Sequence, residues 1–243
     1  MRVKLTLEYN GSAYAGWQLQ ADQDSIQARI ESALMQIFGV AVRVIGAGRT
    51  DSGVHARGQV ASAQLPRPFD PADLKRALNA LLPPDIAVLA AEAAPQDFDP
   101  RRDARSRIYE YRVLNRETRS AFEFHYAWLV RGRLDLEAMR SAAREFIGEH
   151  DFAAFRTLGS EEKTTRRHVI VSDWRRAGEV LCYRVEANSF LRHMVRTMVA
   201  AMVDAGHGKI ASRDIATLLT SRDRAAAPAP APASGLYLME VRY

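Results

Sequence analysis

The spacing of apolar residues predicts a strand followed by a helix at the start of the chain. Residues 3–9 place apolar side chains at every second position with polar ones between them, which is the period of a half-buried strand. Apolar residues then recur every three or four positions up to Gly39. Asp24 and Gln27 resemble a capping box ahead of them, so we predict a helix between Asp24 and Gly39.

Three further strands and a second helix complete the first half. The helix is opened by Asp70 and Pro71 and stopped by Pro83 and Pro84. The strands are predicted at residues 40–45, 58–65 and 86–93. The first half therefore has the order βαββαβ.

The second half repeats this order with one extra helix, although the two halves share no visible sequence repeat. Strands are predicted at residues 108–114, 167–175, 180–187 and 236–243. Helices are predicted at residues 136–147, ended by Gly148, at about 190–205 and at 212–219. Two such units predict an α+β fold of two ferredoxin-like (βαββαβ) halves with mainly antiparallel sheets, residues 1–104 and 105–243. The segment AAAPAPAPAS at 225–234 is interpreted as a semi-extended surface linker.

Composition excludes several classes of protein. The 243 residues are 47% hydrophobic and 26% charged, and no apolar run approaches the length of a membrane span. No signal-peptide pattern is present at the start, so we expect a cytoplasmic protein. Cys182 is the single cysteine, and the six histidines lack metal-binding spacing, so we expect no metal site.

The net charge is +5, and 30 of the 34 basic residues are arginine. Arginine forks bind phosphates and stack on bases, which favours a nucleic-acid partner. A chain rich in alanine and arginine is also what a GC-rich genome encodes. The charge thus permits an RNA or DNA partner without requiring one.

The densest candidate for chemistry is the loop at residues 46–58, GAGRTDSGVHARG, between two predicted strands. Its glycines allow close backbone approach, and Arg49 and Arg57 supply positive charge. Asp51 is its only carboxylate, and nearby positive charge would keep it ionised, as a nucleophile must be. The run Thr-Asp-Ser-Gly is also typical of an ordinary turn, and the spacing alone favours that interpretation.

A second candidate is the segment at residues 98–115, where arginines lead into and along a strand. Tyr109 and Tyr111 lie on one face of this strand. Arginines interleaved with aromatics can hold unstacked bases, but both tyrosines could instead face the core. We predict a core position for Tyr111 and leave Tyr109 open. The arginines of this segment are Arg101, Arg102, Arg105, Arg107 and Arg112.

Two more segments are candidates. In the predicted helix from residue 190, Arg192 and Arg196 lie four positions apart and share a face with His193 between them, while a methionine stripe is expected in the core. A solvated basic face is the alternative to an RNA contact. The aromatic and amide-rich loop at 9–20 could contact substrate or simply anchor itself by packing.

Together these segments resemble the tRNA pseudouridine synthase A family. The motifs are YNGSAYAGWQ at 9–18, GRTDSGVHARGQV at 48–60, an F-x-x-R…R-x-Y-x-Y pattern at 98–111, HDFAAF at 150–155, NSFLRHMVR at 188–196 and GLYLMEVRY at the end. The resemblance covers nearly the whole chain, and the GRTD-GVHA motif is highly specific. Ser52 departs from the alanine common in that motif, and the insert at 225–234 departs from the family's short connection.

The resemblance implies an isomerase that converts uridine to pseudouridine in the tRNA anticodon stem-loop, at positions 38, 39 and 40. It implies that Asp51 is the catalytic nucleophile or base, which replaces the turn interpretation, and that Tyr109 stacks on the target base. Arg196 would pair with Asp51, and Arg49 would help displace the target base. The two halves would form a central RNA-binding cleft, and the protein would act as a homodimer with no cofactor and no metal.

Two alternatives stay open. The chain could be a synthase of the same family that acts on another RNA, or a non-catalytic RNA-binding module with the same fold. The presence of Asp51, Tyr109 and Arg196 together argues against the second.

Overall fold

The computed structural model describes residues 1–157 and 164–243, and these residues divide into two compact units. The first contains Met1–Arg105 and Tyr237–Tyr243, and the second contains Ser106–Leu236. The sequence placed the boundary at 104/105 and assigned the last strand to the second half. The structure groups that strand with the first unit, because Tyr237 and Leu238 pair in parallel with His55 and Ala56.

The first unit is an antiparallel sheet with two helices. Strands β1 (Arg2–Tyr9), β2 (Val44–Gly46), β3 (His55–Gln64) and β4 (Ile86–Ala93) take the order β4-β1-β3-β2, which is the ferredoxin-like arrangement. Helices α1 (Ile26–Phe38) and α2 (Pro71–Leu81) bring Ile26, Ile30, Leu34, Leu74 and Leu78 into the core. The inward-facing positions of β1 are fully or almost fully buried, as its alternation predicts.

The second unit has four strands in antiparallel order. These are β5 (Ser106–Asn115), β9 (Val180–Ala187), β8 (Arg166–Ala177) and β7 (Gly148–Asp151), with the short β6 (Trp128–Val130) parallel to β5. Three helices pack with them: α3 (Leu136–Arg144), α4 (Met194–Gly206) and α5 (Ser212–Ser221). The last strand of the chain is β10 (Leu236–Arg242).

Helix α4 forms the core of the second unit. Met194, Met198 and Met202 have no exposed surface, so the methionine stripe is core, as predicted. Gly206 lets α3 approach closely, because a Cβ atom there would lie 2.8 Å from Cγ of Met139. The predicted fold class, α+β with mainly antiparallel sheets, is confirmed.

Three local predictions are wrong. Ser25, and not Asp24, caps α1: its side chain accepts from the amide of Ala28, while Asp24 pairs with Arg29. Helix α3 ends at Arg144, and Gly148 begins the unpredicted strand β7 instead of ending a helix. The helix predicted from about residue 190 begins only at Met194, because His193 before it adopts φ 64°.

No helix among the described residues is long and apolar enough to cross a membrane.

Candidate active site

Asp51 lies in a tight turn between β2 and β3. The amide of Val54 donates to the carbonyl of Asp51 (3.1 Å), and Gly53 adopts φ 78°. The turn interpretation of Thr-Asp-Ser-Gly is therefore correct for the backbone. The side chain of Asp51 is partly exposed and that of Arg49 is exposed.

The loop after β1 holds this turn in place through hydrogen bonds and a close backbone contact. The amide of Trp17 donates to the carbonyl of Thr50 (3.0 Å), and the hydroxyl of Ser52 donates to the carbonyl of Tyr14 (3.1 Å). At Gly16, φ is 102° and a Cβ atom would lie 2.5 Å from the carbonyl oxygen of Thr50. The aromatic and amide-rich segment thus anchors the backbone that carries Asp51.

Buried polar groups hold Thr50, the neighbour of Asp51. The Thr50 hydroxyl lies 2.9 Å from the phenol oxygen of Tyr9, and Gln59 donates to the carbonyl of Gly48 (2.9 Å). Burial raises the pKa of Tyr9 to about 12, so the phenol stays neutral. These bonds fix the loop on its buried side while Asp51 and Arg49 remain on the accessible side.

His55 provides a second anchor at the start of β3. Its Nδ1 accepts from the amide of Gly11 (3.2 Å), and its ring stacks on Tyr237 at 4.7 Å between centroids. A Cβ atom on Gly11 would lie 2.0 Å from the carbonyl oxygen of Val54. Because only glycine fits there, the backbone on both sides of Asp51 is fixed by close packing.

In the second unit, the two tyrosines of β5 occupy different environments. Tyr111 has no exposed surface, as predicted, and lies opposite Tyr183 of β9. Tyr109 is partly exposed, and the edge of its ring meets Phe190 at 5.0 Å between centroids. Tyr109 is thus the tyrosine of this pair whose side chain solvent can reach.

Arg196 lies in the first turn of α4. It is held by the segment at residues 225–234, which the composition predicts to be a surface linker. Its Nε donates to the carbonyl of Ala231 (2.7 Å), and the amide of Ala231 donates back to the carbonyl of Arg196 (3.1 Å). The buried hydroxyl of Tyr111 donates to the carbonyl of the next residue, Pro232 (2.7 Å). Ala231 is itself buried, so this part of the insert at 225–234 packs against the unit.

Arg196 also acts electrostatically on its surroundings. Burial raises the pKa of Tyr111 above its ordinary value, and the nearby Arg196 guanidinium partly opposes that rise. Arg192 does not share a helical face with Arg196 as predicted, because it precedes the left-handed residue His193 and lies outside α4.

Arginines of the candidate RNA-binding segment at residues 98–115 have partners within the protein. Arg112 and Arg175 both bind Glu110, at 2.9 and 3.1 Å. Burial alone would raise the pKa of Glu110, but these two guanidiniums outweigh it and the pKa lies below its usual value. Arg107 donates to the carbonyl of Asn188 (2.9 Å). This part of the arginine excess supports the fold.

Within the described ranges 1–157 and 164–243, no cluster of three or more His, Cys, Asp or Glu residues could hold a metal ion. The structure places Arg49 and Asp51 on one loop of the first unit, and Tyr109 and Arg196 in the second unit. No sequence signal predicts the roles of Ala231 and Pro232, because a low-complexity run has no pattern from which contacts can be inferred.

Comparison with known proteins gives a consistent result. A family model described as tRNA pseudouridine synthase matches residues 6–103 and 142–243. The chain is 44% identical to "tRNA pseudouridine synthase A" of Myxococcus xanthus over 100% of this chain and 92% of that protein. The protein of the same name from Beijerinckia indica is also 44% identical, over 100% and 94%. Among solved structures, a Cbf5-Nop10-Gar1 complex aligns over 82% of this chain and 54% of its own at 14% identity, but its TM-score of 0.31 supports no argument.

Proposed function

Because the chain belongs to the tRNA pseudouridine synthase family and is therefore an isomerase, we propose that it converts uridine to pseudouridine in the anticodon stem-loop of tRNA, at positions 38, 39 and 40. The observation that carries the proposal is the Asp51 turn. This turn presents one partly exposed carboxylate. Its backbone is fixed by hydrogen bonds and by close packing against glycine residues.

In the proposed reaction Asp51 initiates cleavage of the glycosidic bond. The bond between N1 of uracil and C1′ of ribose breaks, the base turns in the pocket, and a bond from C5 to C1′ forms. The proton on C5 is released and N1 gains a proton, so atoms balance and no oxidant or reductant is consumed. The proposed reaction therefore uses no cofactor. One carboxylate suffices, whereas glycoside hydrolysis employs a pair.

The other site residues are proposed to handle the base and the charge. Tyr109 would stack its accessible ring on the target uracil, because aromatic faces hold unstacked bases. Arg196 would pair with Asp51 and orient it, and Arg49 would help displace the target base from its stack. The bond that Nε of Arg196 donates to the carbonyl of Ala231 supports this role by restricting the side chain, and the bond from Tyr111 to Pro232 holds the neighbouring backbone.

The proposed setting is the cytoplasm, with the enzyme acting as a homodimer on folded tRNA. A net charge of +5 supports binding to the phosphate backbone. The alternative within the family is a synthase acting on another RNA. The alternative outside catalysis is an RNA-binding module that keeps the fold.

One assay tests these readings. The protein is incubated with tRNA carrying tritium at uridine C5, and the released label is counted. We expect release from a transcript with uridine only at position 38, 39 or 40. Binding without release from any tRNA would leave only the RNA-binding module, and release from another RNA alone would support the alternative substrate.

Variants of the turn locate the chemistry. Asp51→Asn should lower turnover by about three orders of magnitude or more while tRNA affinity is largely retained, because the nucleophile is lost and its shape is kept. Ser52→Ala is the matched control, since it removes only the hydrogen bond to Tyr14 and leaves the carboxylate in place. Equal turnover in Asp51→Asn and wild type would remove Asp51 from the mechanism.

A further inference from the structure

An open cavity of about 670 Å³ lies in the second unit, beside the start of α4. The cavity is lined by Ala153, Arg156 and Thr157 of the segment after β7 and by residues of the segment after α5. No motif or spacing in the sequence connects these segments. Neither Arg156 nor the arginines of the segment after α5 belong to the residues proposed above for the reaction.

Three guanidiniums and a histidine line this cavity: Arg156, Arg222, Arg224 and His193. The carboxylate in its lining is Asp223. Arginine forks match phosphate oxygens in geometry and charge. A cavity with this lining attracts anions.

Two of these arginines are held in position. Arg224 donates to the carbonyls of Ala227 (2.9 Å) and Pro228 (3.1 Å). Arg222 follows α5 with φ 57°, and its Nε lies 3.1 Å from Asp151, yet its side chain keeps 62% of its surface exposed. Arg156 has no hydrogen bond or ion pair with the residues that the structure describes. Preorganised donors reduce the entropic cost of binding an anion.

The start of α4 adds to the positive potential. The His193 side chain makes no cap bond to α4, and its Nδ1 lies 2.8 Å from the hydroxyl of Thr157 instead. The first turn of a helix of this length carries partial positive charge from its amides. His193, Thr157 and the arginines thus surround the same cavity.

The cavity adjoins Arg196. Pro230 lines it, and the next residue, Ala231, exchanges two hydrogen bonds with Arg196. His193 lines it from three positions before Arg196. A ligand here would therefore be a neighbour of whatever Arg196 contacts.

We propose that this cavity binds a backbone phosphate of the tRNA close to the target uridine. The inference rests on the proposed function, because it takes the ligand of the cavity to be the same RNA. A phosphodiester in a strand fits better than a free anion, since the cavity is far larger than one phosphate and Ala153, Ala225 and Pro230 offer apolar wall for a sugar. The contact is sequence-independent and fixes the register of the strand.

The test is the affinity of a tRNA transcript for Arg156→Gln, measured by filter binding at several salt concentrations. We expect an affinity loss of about tenfold at low salt. The slope of log affinity against log salt should fall by about 0.7 to 0.9, the value for one lost phosphate contact. Turnover at limiting tRNA should fall by the same factor as the affinity, because the lost contact weakens binding of the substrate.

Arg176→Gln is the matched control. Arg176 is exposed and lies about 30 Å along β8 from Arg166. Arg166 is the strand partner of Asp151, which pairs with Arg222 of the cavity lining. Arg176→Gln removes one positive charge from the same unit without touching the cavity. If both variants lose affinity and slope equally, the cavity proposal is overturned.

The two proposals fail separately. Loss of affinity in Arg156→Gln, with no tritium release by the wild type, would remove the proposed reaction and keep the phosphate site. Normal tritium release with unchanged affinity in Arg156→Gln would keep the reaction and remove the phosphate site.

Discussion

Removing one hydroxyl group, in Tyr111→Phe, tests whether the 225–234 segment positions Arg196. The Tyr111 hydroxyl donates to the carbonyl of Pro232 (2.7 Å), one residue after Ala231, which holds Nε of Arg196. The tyrosine ring also packs closely against Gly235, where a Cβ atom would lie 2.6 Å from it. The variant keeps the ring and its packing and removes only the hydrogen bond to Pro232.

The chain contains a matched control for this variant. Tyr183 lies directly opposite Tyr111 in the β5–β9 pair, has no exposed surface either, and has its hydroxyl 2.7 Å from that of Ser172. Ser172 donates its own proton to the carbonyl of Ala143, so Tyr183 is the donor between them. Tyr183→Phe therefore loses a comparable buried bond that does not touch Arg196.

Each variant should lower the free energy of unfolding by about 1 kcal/mol, the net contribution of one such hydrogen bond. The difference lies in turnover. If the hydrogen bond from Tyr111 to Pro232 helps to position Arg196 in the transition state, its loss raises the activation free energy by about 1 kcal/mol, which corresponds to a roughly fivefold decrease in kcat. We expect that decrease for Tyr111→Phe and none for Tyr183→Phe, with tRNA affinity unchanged in both.

The assay combines urea unfolding with tritium release at saturating tRNA. Equal stability losses with a kcat decrease in Tyr111→Phe alone would support positioning. Equal kcat in the two variants, at equal stability loss, would refute it and return the segment to the role of a linker.

Two further predictions concern the support of the site and the sheet of the second unit. Gly16→Ala should destabilise the protein by about 2 kcal/mol or more and abolish turnover, because φ is 102° and the new Cβ would meet the Thr50 carbonyl. The control is Gly48→Ala, since a Cβ atom at Gly48 would meet no atom within 4 Å. Gly48→Ala should unfold close to wild type in the same urea titration. Equal midpoints for the two would contradict the packing argument. Glu110→Gln should destabilise at pH 7, because the pKa of Glu110 is lowered in the folded state. Because the pKa of Glu110 is lowered in the folded state, its contribution to stability is present above the ordinary value of 4.5 and is lost as pH falls through the folded value. The stability difference between Glu110→Gln and wild type should therefore shrink in unfolding titrations below pH 4.5. A stability difference independent of pH would contradict this prediction.

Local signals in the sequence predicted most elements of the fold. The alternation at residues 3–9 and the helical spacing before Gly39 correspond to β1 and α1, and Asp70 with Pro71 opens α2 as expected. These signals are readable because burial of one face imposes a period on the chain. The strands β6 and β7 were missed because three or four residues are too short to show a period.

The residues of the candidate site were also visible in the sequence, through motifs rather than through periodicity. Asp51, Tyr109 and Arg196 were singled out by residue type and by resemblance. Their supports were not, because contacts such as that between Gly16 and Thr50 join residues far apart along the chain. A left-handed residue such as His193 is likewise set by its surroundings, so the start of α4 was misplaced.

The sequence by itself determined the fold class, the family and the chemical groups available for the reaction, since each follows from local pattern or motif. Only the tertiary structure decided what each arginine does. Arg112 and Arg175 are occupied by Glu110, Arg196 is held by Ala231, and Arg156 lines a cavity without a partner among the described residues. Composition counts these side chains as equal, but a carboxylate partner neutralises the charge of Arg112 and Arg175, whereas the charge of Arg156 faces a cavity large enough for a strand of RNA.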